Sequence, residues 1–160
     1  MVFYLSLEGI FLEKFMDIAK EEAIQAMNKG EIPVGAVIVY DGEIIGRGHN
    51  LKESLNDVTA HAEIIAIKEA ARKIGDWRLN GCEMYVTLEP CPMCSSAIAQ
   101  SRISILNIGT FNKDMGACGT VFNLFDCKAL NYSVKVNWLY DEECLNFIKQ
   151  FFYKRRKDEK

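Results

Sequence analysis

From residue 34 onward, short apolar runs typical of strands alternate with segments of helical periodicity. The first run, 34–40, is followed by Asp41-Gly42, a strong signal for a tight hairpin turn, and a second strand pattern covers 43–49. Further strand patterns lie at 82–88, 103–111 and 132–139. Strands that alternate with helices at this spacing predict a layered α/β domain, in which parallel crossover connections follow an initial antiparallel hairpin.

The first two helical segments have recognisable ends. Apolar residues recur at helical spacing over about 12–29, and Gly30 stands where a left-handed residue would close the helix. The second helix is predicted over 60–74, with Asp57 or Thr59 as its N-cap.

Two more helices are predicted in the second half of the chain. Pro92 fits the first turn of a helix that runs to about residue 101. The last helix is predicted over about 141–157, with Asp141 as its cap. Its apolar stripe consists of Leu145, Ile148, Phe151 and Phe152.

Composition limits the class of protein. The chain has 160 residues, of which 49% are hydrophobic, and no linker or repeat interrupts it, so we predict one domain over residues 1–160. The formal net charge of −3 argues against nucleic-acid binding by bulk basicity but allows a local basic patch. No run approaches the ~18 apolar residues that a membrane span needs, and the apolar opening lacks the features of a secretory signal. Six cysteines are too few for a disulfide scaffold, so we expect reduced thiols, a cytoplasmic location and no membrane association.

Two short motifs carry the chemistry: His61-Ala62-Glu63 at the predicted start of the second helix, and Pro90-Cys91-Pro92-Met93-Cys94 at the start of the third. Cys91 and Cys94 are three positions apart, so on a helix they share one face and can bind one metal ion. A helix N-terminus also favours the thiolate form. With His61 as the third ligand, this donor set suits a tetrahedral Zn²⁺.

Three protein ligands leave the fourth position of a zinc ion open, as in catalytic rather than structural sites. Two thiolates neutralise the charge of the ion, so water in the open position needs a base nearby. Glu63 is the candidate for moving its protons. We therefore predict one catalytic Zn²⁺ in each subunit.

Two other interpretations of the cysteines remain open. Cys-x-x-Cys is also a redox motif of thioredoxin-like proteins, although this interpretation leaves the His-x-Glu motif unexplained. A structural zinc site would need a fourth ligand, for which the candidates are Cys82, Cys118, Cys127, Cys144 and His49. Of these, Cys82, Cys127 and Cys144 lie in apolar or strand contexts and are expected to be small core residues.

The two motifs together are the signature of the zinc-dependent nucleobase deaminases. From about residue 15 to 156 the chain further resembles the bacterial tRNA-specific adenosine deaminases, which make inosine at the wobble position (position 34) of an arginine tRNA. The matching segments are PVGAVIV, GHN, TAHAEI, DWRL, MYVTLEPCPMC, SRI and FFYKRR. The resemblance implies a three-layer α/β/α cytidine-deaminase-like domain with a central mixed sheet of about five strands. It also implies hydrolytic deamination at C6 of adenine with Glu63 as proton carrier, and homodimers in which both subunits shape the RNA site.

The resemblance further implies substrate contacts. Asn50 would hydrogen-bond the flipped base, and Val34 and Leu88 would line its pocket. From the residues alone, Asn50 could equally be a turn residue that ends the second strand. Ser95-Ser96 stands where an Ala-Gly pair is common in the family, and we expect little effect from it.

The end of the chain carries the local basic patch. Arg155 and Arg156 lie in a run of four cations, and with Phe152 they would contact the anticodon stem-loop. The alternatives are a solvated last turn that complements the helix dipole, and a core role for Phe152. Asn112 is a further expected RNA contact, although Asn112-Lys113-Asp114 departs from the acidic-then-basic pattern often found there.

Two rival functions differ in class from each other. Related enzymes that act on a free nucleobase or nucleoside, such as guanine or cytosine, share both motifs, but they have no need of a terminal cation cluster. A non-catalytic, zinc-stabilised RNA-binding module would need the zinc ligands and not Glu63.

Overall fold

Five strands form one mixed sheet in a computed structural model of the chain, which describes residues 7–158 and side chains from residue 9. The strands are β1 (Gly35–Tyr40), β2 (Glu43–His49), β3 (Glu83–Leu88), β4 (Ile105–Thr110) and β5 (Lys135–Trp138). Their order in the sheet is β2-β1-β3-β4-β5. β1 pairs antiparallel with both β2 and β3, whereas β3–β4 and β4–β5 are parallel. This confirms the predicted hairpin followed by parallel crossovers, although the predicted strands at 82–88, 103–111 and 132–139 are longer than the observed ones.

Four helices cover the two faces of the sheet: α1 (Leu7–Asn28), α2 (Ala62–Ile74), α3 (Pro92–Gln100) and α4 (Glu142–Asp158). Successive strand residues point to opposite faces. Ile38 and Val86 therefore belong to the core under α2 and α3, while Val37 and Tyr85 belong to the core under α1. The result is the three-layer α/β/α arrangement that the resemblance implied.

Local turn chemistry accounts for several element ends. Asp41 and Gly42 both have positive φ, at 51° and 76°, as the tight β1–β2 turn requires. Gly30 has φ of 74° just after α1, as predicted. The Asp141 carboxylate accepts a hydrogen bond from the Cys144 N–H at 3.0 Å, which confirms it as the cap of α4.

Two helix starts differ from the prediction. α1 begins at Leu7 rather than near residue 12. α2 begins at Ala62 rather than at 60, and neither Asp57 nor Thr59 caps it. The Asp57 carboxylate instead accepts hydrogen bonds from the N–H and hydroxyl of Thr59, at 2.8 and 2.7 Å, in a local turn. The residue at the cap position is His61, which makes no capping hydrogen bond because its ring lies against the sulfur atoms of Cys91 and Cys94.

The predicted apolar stripe of α4 is only partly buried. The buried residues of this helix are Cys144 and Phe147, while Leu145, Ile148 and Phe151 are half-buried and Phe152 is 38% exposed. Leu145, Ile148 and Phe152 border an open cavity, and Ile148 also packs against the core under α2 and α3.

The cysteines are partly as predicted. All six are free thiols; Cys82 and Cys144 are buried as expected, but Cys127 is exposed. It lies between two 3-10 turns, Leu124–Asp126 and Lys128–Leu130, in the irregular connection between β4 and β5. Between residues 7 and 158 no helix is long and apolar enough to cross a membrane. The first six and last two residues of the predicted domain lie outside the described part of the chain.

Candidate active site

The starts of α2 and α3 bring one imidazole and two thiols together. His61 and Cys91 each stand just before their helix, and Cys94 lies in the first turn of α3. The Nδ1 atom of His61 is 3.7 Å from Cys91 Sγ and 3.5 Å from Cys94 Sγ. Donors that share one tetrahedral Zn²⁺, at bond lengths of about 2.0 to 2.3 Å, lie roughly 3.6 Å apart, so these three atoms fit that ion.

No fourth ligand joins this cluster among the described residues. His49 lies elsewhere, with Nδ1 2.8 Å from a Glu22 carboxylate oxygen and Nε2 2.9 Å from Lys29 Nζ. The buried Cys118 sulfur lies 3.3 Å from the hydroxyl of Ser95. An open three-ligand site is therefore favoured over the closed structural site, and Cys-x-x-Cys is not an isolated redox pair.

The contact between the two thiols shifts their pKa values in opposite directions. The hydrogen bond from the Cys94 thiol, together with the His61 contact, lowers the pKa of Cys91 to about 4. The same contact between the sulfurs, with burial, raises the pKa of Cys94. One thiolate is thus ready to bind a cation, and the second proton must leave when a metal ion is bound.

Glu63 is buried beside this cluster without belonging to it. Its side chain is 4% exposed, and this burial raises the pKa of the carboxyl to about 7. The residue lies in the first turn of α2, two positions after His61. A buried carboxyl group that is not itself among the three metal-binding donors is suited to carry protons.

The predicted base-binding residues are neighbours: Val34 and Leu88 belong to one hydrophobic cluster, and Asn50 bonds to residues beside them. Asn50 is buried just after β2; its side-chain oxygen accepts the Lys52 N–H at 3.2 Å, and its amide nitrogen donates to the Ile32 carbonyl at 3.4 Å. The Asn50 N–H donates to the Val34 carbonyl at 3.1 Å, so these two residues are neighbours. In this structure Asn50 therefore performs the turn role that was its alternative.

A cavity of about 850 Å³ lies between the end of β3, the loop after β4 and α4. Four of the predicted substrate residues line it: Leu88, Asn112, Phe152 and Arg156. Arg155 lines a different depression, beside the end of α1. The structure therefore separates the two arginines that the prediction grouped together.

Asn112 shapes the loop on which it lies. Its side-chain oxygen accepts the N–H groups of Asp114 and Met115, at 3.2 and 3.1 Å. Its amide nitrogen is 3.5 Å from the Glu89 carbonyl. The side chain of Asn112 is thus already engaged by its own loop, although the residue faces the cavity.

Two buried glutamates near the site were not predicted. Glu31 accepts the N–H and hydroxyl of Ser54 at 2.6 and 2.7 Å, and so holds the loop after Asn50. Glu89 accepts N–H groups from the loop after β4. Glu31 lies two residues before Pro33, ahead of β1, and Glu89 lies directly before Pro90, after β3. Nothing local in the sequence indicates that these two acids are buried.

Comparison with known proteins places these features in context. Residues 10–110 match the family model described as the cytidine and deoxycytidylate deaminase zinc-binding region. A tRNA-specific adenosine deaminase of Aquifex aeolicus is 48% identical over 144 residues, which are 90% of this chain and 95% of that protein. A protein of the same name from Bacillus subtilis is 44% identical over 149 residues, 92% of each chain.

Solved structures give a consistent result. A structure from a study of A-to-I editing by tRNA:A34 deaminases at the wobble position of transfer RNA is 41% identical, with a TM-score of 0.76. The match covers 79% of this chain and 97% of that one. A guanine deaminase of Bacillus subtilis is 38% identical, with a TM-score of 0.61 over 74% of this chain and 76% of that one.

Proposed function

The chain belongs to the cytidine and deoxycytidylate deaminase zinc-binding family, and we propose that it is a tRNA-specific adenosine deaminase that converts adenosine 34 to inosine in the anticodon of an arginine tRNA. The observation that carries the reaction type is the cluster of His61, Cys91 and Cys94 with the buried Glu63 beside it. The tRNA substrate is supported by relatives named for that activity, which match over nine-tenths of the chain.

The side chains divide the work of a hydrolytic deamination. His61, Cys91 and Cys94 would hold Zn²⁺, which supplies a Lewis acid that activates water for attack at C6 of adenine. Glu63 takes a proton from that water and delivers it to N1 of the base. It then takes the proton of the hydroxyl group added at C6 and delivers it to the amino group, which leaves as ammonia while the C6 carbonyl forms. Because Glu63 is not among the donors of the cluster, its carboxyl group is available for these transfers.

The cavity gives nucleotides next to the target base a place to bind, since His61, Glu63, Cys91 and Cys94 do not line it. Leu88 and Phe152 offer apolar contacts, and Arg156 offers a cation for phosphate. We further propose that Asn50 and Val34 border the base and that Asn112 contacts the RNA through its loop. Arg155 would bind the RNA backbone outside the cavity.

The proposal is tested with the purified zinc-loaded protein and an anticodon stem-loop of arginine tRNA that carries adenosine 34. We expect inosine at that position and no turnover of free guanine, which is the substrate of the similar guanine deaminase. Efficient turnover of guanine with none on the stem-loop would overturn the assignment. If the protein bound the stem-loop but produced no inosine, it would be a binding module instead.

The basic end of α4 gives a prediction about RNA affinity. Arg156→Gln removes one phosphate-binding charge at the cavity, so we expect KM for the stem-loop to rise by about three- to tenfold, with a weaker dependence of KM on salt. Arg72→Gln is the matched control, because Arg72 is exposed in the last turn of α2. Equal effects of the two substitutions would show that the overall charge matters and the position does not.

We also propose that two copies of the chain form a homodimer through a face that includes the loop after β4. Met115, Val121 and Phe122 in this loop are exposed large apolar residues, which water-facing loops seldom collect. Sedimentation equilibrium should give twice the chain mass, and Phe122→Asp should shift the equilibrium towards single chains. A wild-type protein that sediments as one chain at micromolar concentration would contradict the proposal.

A cytoplasmic location follows from the proposed substrate. The free thiols at the metal cluster agree with a reducing compartment.

A further inference from the structure

Glu89 is an almost fully buried acid, 1% exposed, that collects hydrogen-bond donors from one loop. Its two carboxylate oxygens accept the N–H groups of Asn112, Cys118 and Thr120, at 2.9, 3.0 and 3.1 Å. The Thr120 hydroxyl also donates to it. No cation is paired with this carboxylate in the described part of the chain, so the loop's own donors compensate its burial.

The loop from 112 to 120 is folded around this carboxylate. Gly116 lies so close that a Cβ at this position would overlap the Glu89 carboxylate oxygen, so the loop needs a glycine there. The next residue, Ala117, donates its N–H to the Pro90 carbonyl at 3.0 Å. The loop is therefore bound to Glu89 and Pro90, the two residues immediately before Cys91.

The same loop forms a wall of the cavity. Asn112, Lys113, Asp114 and Met115 line it opposite the residues of α4. Loss of the carboxylate would leave the buried Cys118 N–H and two further N–H groups without their acceptor, and the loop could regain partners only by moving into water. The shape of this wall thus depends on a side chain that does not line the cavity.

We propose that Glu89 is a positioning residue for the RNA substrate: it holds the 112–120 loop against the start of α3, so that the wall of the cavity is formed before RNA binds. This inference rests on the proposed function for the nature of the ligand. Glu89 then contributes to substrate binding by ordering the loop, and it takes no part in proton transfer.

The test is Glu89→Gln in the full-length zinc-loaded protein. A glutamine side chain keeps the volume but offers one acceptor oxygen and turns an NH₂ group towards the loop donors. We expect KM for the stem-loop to rise about tenfold with kcat within about twofold, because one charge-assisted set of hydrogen bonds is lost. Zinc should stay at one ion per chain, and amide hydrogen exchange should accelerate in the peptide that covers 112–120.

A second pair of variants keeps the test decisive if Glu89→Gln does not fold. Thr120→Val removes only the hydroxyl donor and should raise KM by about two- to threefold, and Thr120→Ser should restore it. Ser101→Ala is the control for general destabilisation, since the Ser101 hydroxyl donates to the Ile98 carbonyl at the far end of α3. It should lower the melting temperature and leave KM unchanged.

The proposal would be overturned by a fall in kcat with KM unchanged or by loss of zinc in Glu89→Gln, since either would place Glu89 in support of the reacting centre. Unchanged hydrogen exchange at 112–120 in Glu89→Gln would also overturn the proposal, because the loop would then not depend on Glu89. If the wild-type protein does not deaminate the stem-loop, the proposed function fails by itself. The exchange measurement, together with fluorescence anisotropy of a labelled stem-loop, then still decides whether Glu89 forms this wall.

Discussion

Replacement of Glu63 by glutamine is expected to slow inosine formation in the stem-loop by about 10²- to 10⁴-fold, the usual range for a lost general acid–base group. The amide has nearly the same volume as the carboxyl group and fits the same buried space, but it cannot accept a proton from water and return it to the base. Single-turnover measurements with excess enzyme should show the loss in the chemical step. Metal analysis should still find one zinc ion per chain, because Glu63 is not a ligand of the cluster.

Glu69→Gln is the matched control on the same helix. Glu69 is exposed and accepts the Arg47 N–H at 2.7 Å, a contact that glutamine can keep. Full activity is expected from it. Activity of Glu63→Gln near that of the wild type would remove Glu63 from the mechanism, and it would favour a role for the chain as a zinc-stabilised binding module.

Cys91→Ser is expected to abolish activity by a different route, the loss of the metal ion. A serine hydroxyl does not ionise near neutral pH, whereas the Cys91 thiol has a pKa lowered to about 4. Zinc affinity should fall by more than about 100-fold. Removing a residue that only hydrogen-bonds a metal ligand already lowers metal affinity by about 10- to 100-fold. Titration with a chromogenic chelator measures the affinity, and the melting temperature should fall because bound metal stabilises the fold.

The exposed Cys127 provides the control for a cysteine-to-serine change away from the cluster. Cys127→Ser should keep both zinc and activity. A Cys91→Ser protein that retains one tightly bound zinc ion would mean that other residues hold it, and the three-donor site would have to be abandoned.

The parts of the fold that the sequence could predict are those encoded by neighbouring residues. The β1–β2 hairpin follows from the Asp41-Gly42 turn, and the start of α4 follows from Asp141. The extra turns of α1 were missed because Gly9 weakens the local helical pattern. The sequence left the role of Phe152 open because a helical stripe that borders a cavity has the same periodicity as one that packs in a core.

The metal cluster was predictable because the spacing of Cys91 and Cys94 is a local feature of the sequence. Only the position of His61 beside them depends on the fold. The roles of Glu31 and Glu89 were not, because their partners are backbone N–H groups of loops more than twenty residues away. Backbone donors are the same for every residue other than proline, so no sequence pattern marks them.

The order of the strands has a consequence for how the finished protein arises during synthesis. The start of α2 follows the edge strand β2, and the start of α3 follows β3, so the two ends meet only after β3 has paired with β1. A growing chain on the ribosome therefore has no pocket for the ion until its third strand has emerged and docked. We therefore expect zinc binding to depend on this strand pairing, so that the ion stabilises an arrangement that the sheet has already made.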